Sequence, residues 1–184
     1  MIALIIIIAI VLIVGIWLMS SYNGLVKEKN QVEESFSTMD VYLKKRYDLI
    51  PNLVETVKGY AKHESETFAQ VTAARSNAMN ATSIDEKLQN ENILSGTLKS
   101  LFAVAEAYPD LKANTNFMDL QKQLQTIEED IANARKYYNA TVKNLNNKIE
   151  MFPSSIVAGM FHFTKKPFFE VSSDEERENV KVQF

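Results

Sequence analysis

The chain of 184 residues contains no cysteine, only two histidines, five glycines and four prolines. The absence of cysteine excludes disulfides and thiolate chemistry. The shortage of glycine and proline favours long helices over a sheet with many turns. The formal net charge of −3 provides no overall field that would attract nucleic acid, and we predict no nucleic-acid partner.

The sequence begins with an uncharged apolar run, MIALIIIIAIVLIVGIWLM, which covers residues 1–19. At about 1.5 Å per residue, a helix of this length nearly spans a hydrocarbon core about 30 Å thick. We therefore predict an uncleaved membrane anchor, with Trp17 and Tyr22 near one interface. The alternative is a cleaved signal peptide, which the length of the run and the lack of a basic n-region disfavour.

The segment from Tyr22 to about Ala81 carries apolar residues three and four positions apart, which predicts one long amphipathic helix. Pro51 lies in its middle, and the polar and apolar stripes stay in phase across it. We therefore predict a bend in a continuous helix, in which the carbonyl of Tyr47 faces water or a side-chain donor. The alternative is a new helix with Asp48 as its N-cap and Pro51 in its first turn.

A second helix is predicted from Ile84 to about Ala107. Ser83 and Glu86 form a capping-box pattern in front of it. Pro109 ends it, because the residue before a proline is disfavoured in the α region.

A third helix is predicted from Phe117 to Phe152, where apolar residues follow heptad spacing with one extra four-residue step. Thr115 or Asn116 would cap it, and Pro153 would stop it. Together these patterns predict an all-α protein: an N-terminal transmembrane helix, then an antiparallel bundle of long helices, with a short extended C-terminal segment.

The predicted domains are an anchor over residues 1–19, a helical bundle over 20–171 and a tail over 172–184. Within the bundle, PSSIVAGMF would form a short helix and FHFTKKPFFEV an extended segment. In the tail, Val182 and Phe184 alternate with polar residues, as in a segment buried on one side. We expect this end to dock on the bundle or on a neighbouring copy.

Six stretches of the sequence resemble the LemA family of bacterial membrane proteins. They are YNGLV from Tyr22, DVYLKKRYDLIPNLVETVKGYAKHE from Asp40, VTAARS from Val71, AYPDLKANTNFMDLQKQL from Ala107, ARKYYNATVKNLN from Ala134 and FPSSIVAGMFHFTKKPFFEV from Phe152. The resemblance implies a helical bundle behind one N-terminal anchor and a membrane location. It implies no reaction.

Two features of the sequence predict opposite sides of the membrane for the bundle. Lys27 and Lys29 follow the span, and the positive-inside rule would place the bundle in the cytoplasm. Some members of the family resemble lipoproteins with a cysteine before the YN motif, which favours the outside. Ser20 and Ser21 stand in that region here, so lipid attachment does not carry over.

The sequence contains no recognisable catalytic constellation, and we predict no enzyme activity, metal or cofactor. His63 and His162 are isolated, and no glycine-rich phosphate loop is present. Arg46, Arg75 and Arg135 lie at the margins of apolar stripes, and Glu128 shares a helix face with Arg135. These charges either form interhelical ion pairs or line an interior ligand site. We expect a structural motif at Arg46, Asp48, Pro51, Asn52, Arg75, Pro109, Glu128 and Arg135.

Two functions are compatible with these features. The first is a single-pass membrane scaffold that acts through protein–protein contacts or self-assembly, as a homo-oligomer in the lipid bilayer and in contact with other membrane proteins. The second is a sensor module whose kinked bundle responds to a ligand. An uncharacterised enzyme is a third and weaker alternative.

Overall fold

The computed structural model describes residues 1–169 and contains six helices in this part of the chain. They are α1 (Ile2–Tyr60), α2 (Ser65–Asn80), α3 (Ile84–Glu106), α4 (Pro109–Lys112), α5 (Thr115–Glu150) and α6 (Ser154–Met160). No strand occurs among residues 1–169. The predicted all-α class is confirmed. Of the segment predicted to be extended, Phe161 and His162 lie in a turn, where His162 has a φ of 57°, and residues 163–169 lack regular secondary structure.

The chain forms two compact units. The span unit comprises Met1–Met39 and Ala134–Phe168, and the hairpin unit comprises Asp40–Asn133 together with Phe169. Helices α1 and α5 contribute residues to both units. The predicted domain boundary at 19/20 falls inside α1, whereas the one at 171/172 lies outside the described residues, as do Val182 and Phe184.

In the span unit, α1 and the end of α5 run antiparallel. Glu28 pairs with Lys148 at 3.5 Å, and the buried hydroxyls of Ser35 and Thr141 are 2.9 Å apart. Near its start, α1 contains a stretch that is long and apolar enough to cross a membrane, and none of that stretch is buried. The apolar run is therefore a candidate membrane span that continues directly into the packed part of α1.

The segment after α6 is docked on α5 within the span unit. The Asn146 side chain donates to the carbonyl of Lys166 and accepts from its N–H, both at 2.9 Å. The Tyr138 hydroxyl donates to the carbonyl of Pro167 at 3.0 Å. These bonds satisfy backbone groups that have no partner in a helix or sheet.

In the hairpin unit, the first helix ends at Tyr60, so the prediction that it continues to Ala81 is wrong. A turn joins α1 to α2, and Ala61, at the start of this connection, is fully buried. Because Ala61 continues the buried stripe through the turn, the apolar periodicity does not reveal the chain reversal. Arg75 of α2 contacts Tyr47 of α1, so α2 runs back along α1.

Pro51 lies inside the continuous helix α1, so the alternative of a new helix capped by Asp48 is wrong. A proline has no N–H for the carbonyl four residues earlier, which here belongs to Tyr47. The Nε of Arg75 donates to this carbonyl at 2.7 Å. Of the two partners predicted for the Tyr47 carbonyl, water or a side-chain donor, the structure shows a side-chain donor, which the antiparallel neighbour α2 supplies.

Helix α3 begins as predicted at its capping box. The N–H of Glu86 donates to the Ser83 hydroxyl at 3.1 Å, while the Glu86 carboxylate accepts from the N–H of Thr82 at 3.0 Å. The helix ends at Glu106, and Pro109 is the first residue of α4, a helical turn that the sequence patterns did not predict.

Helix α5 also differs at both ends from the prediction. The side chain of Asn114, not Thr115 or Asn116, accepts the N–H of Phe117 at 3.0 Å and caps the helix. The helix ends at Glu150, so Phe152 does not complete its apolar stripe and is exposed.

Replacing Pro51 with alanine should leave the helices intact and reduce the contribution of Arg75 to the free energy of unfolding. Alanine supplies the missing N–H to the Tyr47 carbonyl, and a carbonyl can accept both donors. Pro51→Ala should therefore preserve or raise the free energy of unfolding, by up to about 3 kcal/mol. Arg75→Met should destabilise the Pro51→Ala variant less than it destabilises the native chain. The measurement is thermal unfolding followed by circular dichroism in mild detergent. Loss of helix content in Pro51→Ala would contradict this account.

Candidate functional site

A cluster of buried polar side chains lies inside the hairpin unit. It comprises Arg46, Tyr47, Glu91, Ser95 and Glu128, and is called the Arg46 cluster below. Arg46 and Glu91 are both fully buried, and the Nη2 of Arg46 donates to Glu91. The Nη1 of Arg46 donates to the Ser95 hydroxyl at 3.1 Å and to Glu128 at 2.9 Å. One guanidinium therefore joins α1, α3 and α5.

The positions of the two buried charges follow from helix periodicity. Arg46 lies three residues after Leu43 and four before Ile50, both fully buried. Glu91 likewise lies three residues from Leu88 and from Leu94. Each charge thus occupies an apolar-stripe position and must face the interior. An unpaired buried charge is very costly, so the arginine on α1 requires the carboxylate on α3.

Tyr47 completes the cluster on the α1 side. Its hydroxyl donates to Glu91, and its backbone carbonyl accepts from Arg75 as described above. Burial raises the pKa of Tyr47 to about 12. The positive charge of Arg46 lowers this pKa, and the negative charge of Asp40 adds to the rise, but burial dominates.

Glu128 connects the cluster to the surface, with 39% of its side chain exposed. It lines an open groove of about 180 Å³ with Ser95, Leu98, Lys99, Phe102 and Leu124. The groove combines apolar walls with one carboxylate and one amine. Glu91 is enclosed and accepts from Arg46 and Tyr47, so within the cluster the exposed part of Glu128 is the carboxylate that faces this groove.

The structure brings some of the predicted motif residues together and leaves others apart. Arg46, Arg75 and Glu128 belong to the hairpin unit and meet in or beside the cluster. The expected position of Arg46 at a stripe margin is wrong, because the side chain is fully buried. Arg135 belongs to the span unit.

The other polar motif residues lie on the surface. Asp48 is exposed and pairs with Lys44 at 3.2 Å. Asn52 is exposed, and its carbonyl accepts from the Thr56 hydroxyl at 2.7 Å. Neither residue takes part in the Arg46 cluster.

Sequence reasoning missed Glu91, Ser95 and the role of the Tyr47 hydroxyl. The signal for Glu91 was a carboxylate at an apolar-stripe position of α3, matched by an arginine at a stripe position of α1. Within residues 1–169, no group of three or more histidine, cysteine, aspartate or glutamate side chains is arranged to hold a metal ion.

Tyr47 should make the protein sensitive to alkaline pH. Its pKa is about 12 in the folded state and about 10 when exposed. As pH rises above 10, the unfolded chain releases this proton first, so the folded state loses stability until about pH 12. The slope from one such group is at most about 1.4 kcal/mol per pH unit.

The measurement is the free energy of unfolding against pH for the native chain and for Tyr47→Phe. The free energy of unfolding of Tyr47→Phe should decline less steeply above pH 10 than that of the native chain. Tyr42→Phe, which lies outside the cluster, should decline as steeply as the native chain. Equal slopes in the native chain and Tyr47→Phe would contradict a buried, protonated Tyr47.

Comparison with known proteins gives one family and several relatives. The LemA family model matches residues 35–184. Protein LemA of Metamycoplasma hominis is 26% identical over 158 residues, covering 83% of this chain and 70% of the relative. Magnetosome protein MamQ 2 of Paramagnetospirillum magneticum is 21% identical, covering 83% of this chain and 66% of the relative. Magnetosome protein MamQ of Magnetospirillum gryphiswaldense is also 21% identical, covering 83% and 65%.

The chain therefore spans about two thirds of the length of the curated relatives that it matches. The family match includes the RYDLIPNLV block, which holds Arg46, Tyr47 and Pro51, and α3, which holds Glu91. Because the match extends over most of the 184 residues, the chain belongs to the LemA family.

Proposed function

We propose that this membrane-associated helical protein acts through protein–protein contacts, including self-association, and not as a catalyst. The LemA family is not a known enzyme family. The observation that supports the proposal is the Arg46 cluster. Its charged and polar side chains bond to one another and hold the helices together. Its buried members have no access to a substrate.

Attachment to a membrane favours this mode of action. A span confines the copies of a protein to a two-dimensional layer, and confinement raises the effective concentration at which they meet. Weak contacts between helical surfaces then suffice for assembly.

Self-association is tested with two differently tagged copies of the full chain, expressed together and solubilised from membranes in mild detergent. One copy should purify with the other. A matched variant, in which an unrelated single-span helix replaces residues 1–19, should retain this co-purification because the contacts lie in the helical units. Failure of the native copies to co-purify would overturn self-association. Loss with the replaced span would assign the contact to the span and overturn contact through the helical units.

For topology, we propose that the helical units lie outside the cytoplasm, in line with the lipoprotein-like members of the family. The chain has no cysteine, so Asn144→Cys would carry the only thiol. A membrane-impermeant maleimide should label this exposed position in intact cells. Labelling only after the cells are broken would place the units in the cytoplasm.

A second candidate function is a ligand-responsive module, and the exposed side of Glu128 favours it. The groove at Glu128 would accept an aromatic ammonium compound, and binding there would compete with Arg46 for the carboxylate. Benzylamine should then raise the melting temperature of the native chain but not of Glu128→Gln, and benzoate should affect neither. No difference between the two compounds would count against this candidate.

A further inference from the structure

The span unit exposes a cluster of large apolar side chains far from the Arg46 cluster in sequence. The cluster, called the apolar tip below, consists of Met151, Phe152, Ile156, Met160 and Phe161, each 50% to 80% exposed. The segment that contains them, MFPSSIVAGMF, has no charged side chain. Single exposed apolar residues are ordinary on protein surfaces, but five within one short segment indicate a contact surface.

Helix α6 places the apolar tip beside the end of the span. On its covered face, Val157 and Ala158 are buried against Leu25 of α1, and Trp17 and Leu18 pack against the same cluster. The first charged side chain of α1 is Lys27. The uncharged surface of α1 therefore continues to the level of α6, and the apolar tip extends this surface sideways.

Internal hydrogen bonds hold the segment in this position. The Ser154 hydroxyl donates to the carbonyl of Lys148 at 2.6 Å, and the N–H of Phe163 donates to the carbonyl of Ala158 at 2.9 Å. Further along, Asn146 bonds both backbone groups of Lys166. These bonds fix α6 and the residues after it on the protein, while the large apolar side chains of the tip remain exposed.

The aromatic and basic residues around the apolar tip match a membrane interface. The rings of Tyr22 and Phe161 are 4.7 Å apart between centroids, and Trp17, at the end of the span, packs against Val157 and Ala158 of α6 and Leu25 of α1. Amphipathic rings concentrate at headgroup level. Lys165, which bonds Glu150, and Lys166 follow the tip, and lysines beside an apolar segment favour anionic headgroups.

We propose that the apolar tip is a second membrane contact, inserted into the interfacial layer of the leaflet in which the span ends. Interfacial segments of this kind bury their apolar side chains about 5–10 Å into the boundary between headgroups and acyl chains. A single span leaves the attached unit free to rotate about the span axis. The second contact fixes that rotation and so determines which helix faces point along the membrane. The inference rests on the membrane span and is independent of self-association.

The absence of native cysteine permits a direct test in the full chain. Single cysteines at Phe152, Ile156 and Met160 would carry a fluorescent nitrobenzoxadiazole label in vesicles of phosphatidylcholine and phosphatidylglycerol. A doxyl spin label on the acyl chain of the phosphatidylcholine should quench all three positions. Ile8→Cys, inside the span, is the positive control, and the exposed Asn144→Cys on α5 of the same unit is the negative control.

The same samples are then titrated with iodide, which quenches from water. Tip labels that resist iodide and are quenched by the lipid, as at Ile8→Cys, establish insertion. Tip labels quenched by iodide and not by the lipid would overturn the proposal, because the tip would face water. Tip labels reached by neither quencher would also overturn it and assign the surface to a second copy of the chain. Circular dichroism of each variant confirms that helix content is unchanged.

Discussion

The buried ion pair between Arg46 and Glu91 constrains how the helices of the hairpin unit can meet. Neither charge can be left alone in the interior, because the desolvation of an unpaired ion is not offset. The two helices that carry them, α1 and α3, must therefore meet in one register. Glu128 on α5 accepts a hydrogen bond from the second terminal nitrogen of the same guanidinium. Because the guanidinium is planar and rigid, the directions of its hydrogen bonds are fixed relative to one another.

The residues next to Arg46 extend this constraint to a fourth element. Tyr47 donates its hydroxyl to Glu91 and offers its carbonyl to Arg75, because Pro51 has removed the usual donor. The effect of the proline therefore extends beyond local helix propensity. It leaves the carbonyl of Tyr47 without its helical donor, and α2 bonds to α1 at this carbonyl through Arg75. The RYDLIPNLV block is a polar connection between helices as much as an apolar packing surface.

The sequence predicts those parts of the fold whose signals are local. The capping box at Ser83 and the long apolar stripe of α5 identify their helices, and the covalent structure of Pro51 shows that the Tyr47 carbonyl lacks its helical donor. The end of α1 at Tyr60 was missed because the buried Ala61 keeps the periodicity unbroken. Glu91 was missed because the burial of a carboxylate can be predicted only when its partner on another helix is known. The exposure of Phe152 depends on the position at which α5 ends, which the heptad pattern does not determine.

A double-mutant cycle on Arg46 and Glu91 tests the central claim, which is that the two buried charges are stable only as a pair. Arg46→Met and Glu91→Met each leave one buried charge without its main partner, and each should lower the free energy of unfolding by about 3–5 kcal/mol. The double variant removes both charges and leaves flexible apolar side chains, so it should lose no more stability than either single variant. Thermal and denaturant unfolding of the full chain in mild detergent measures all four proteins. Strong coupling between the two sites is the predicted result, and additive losses would contradict the account.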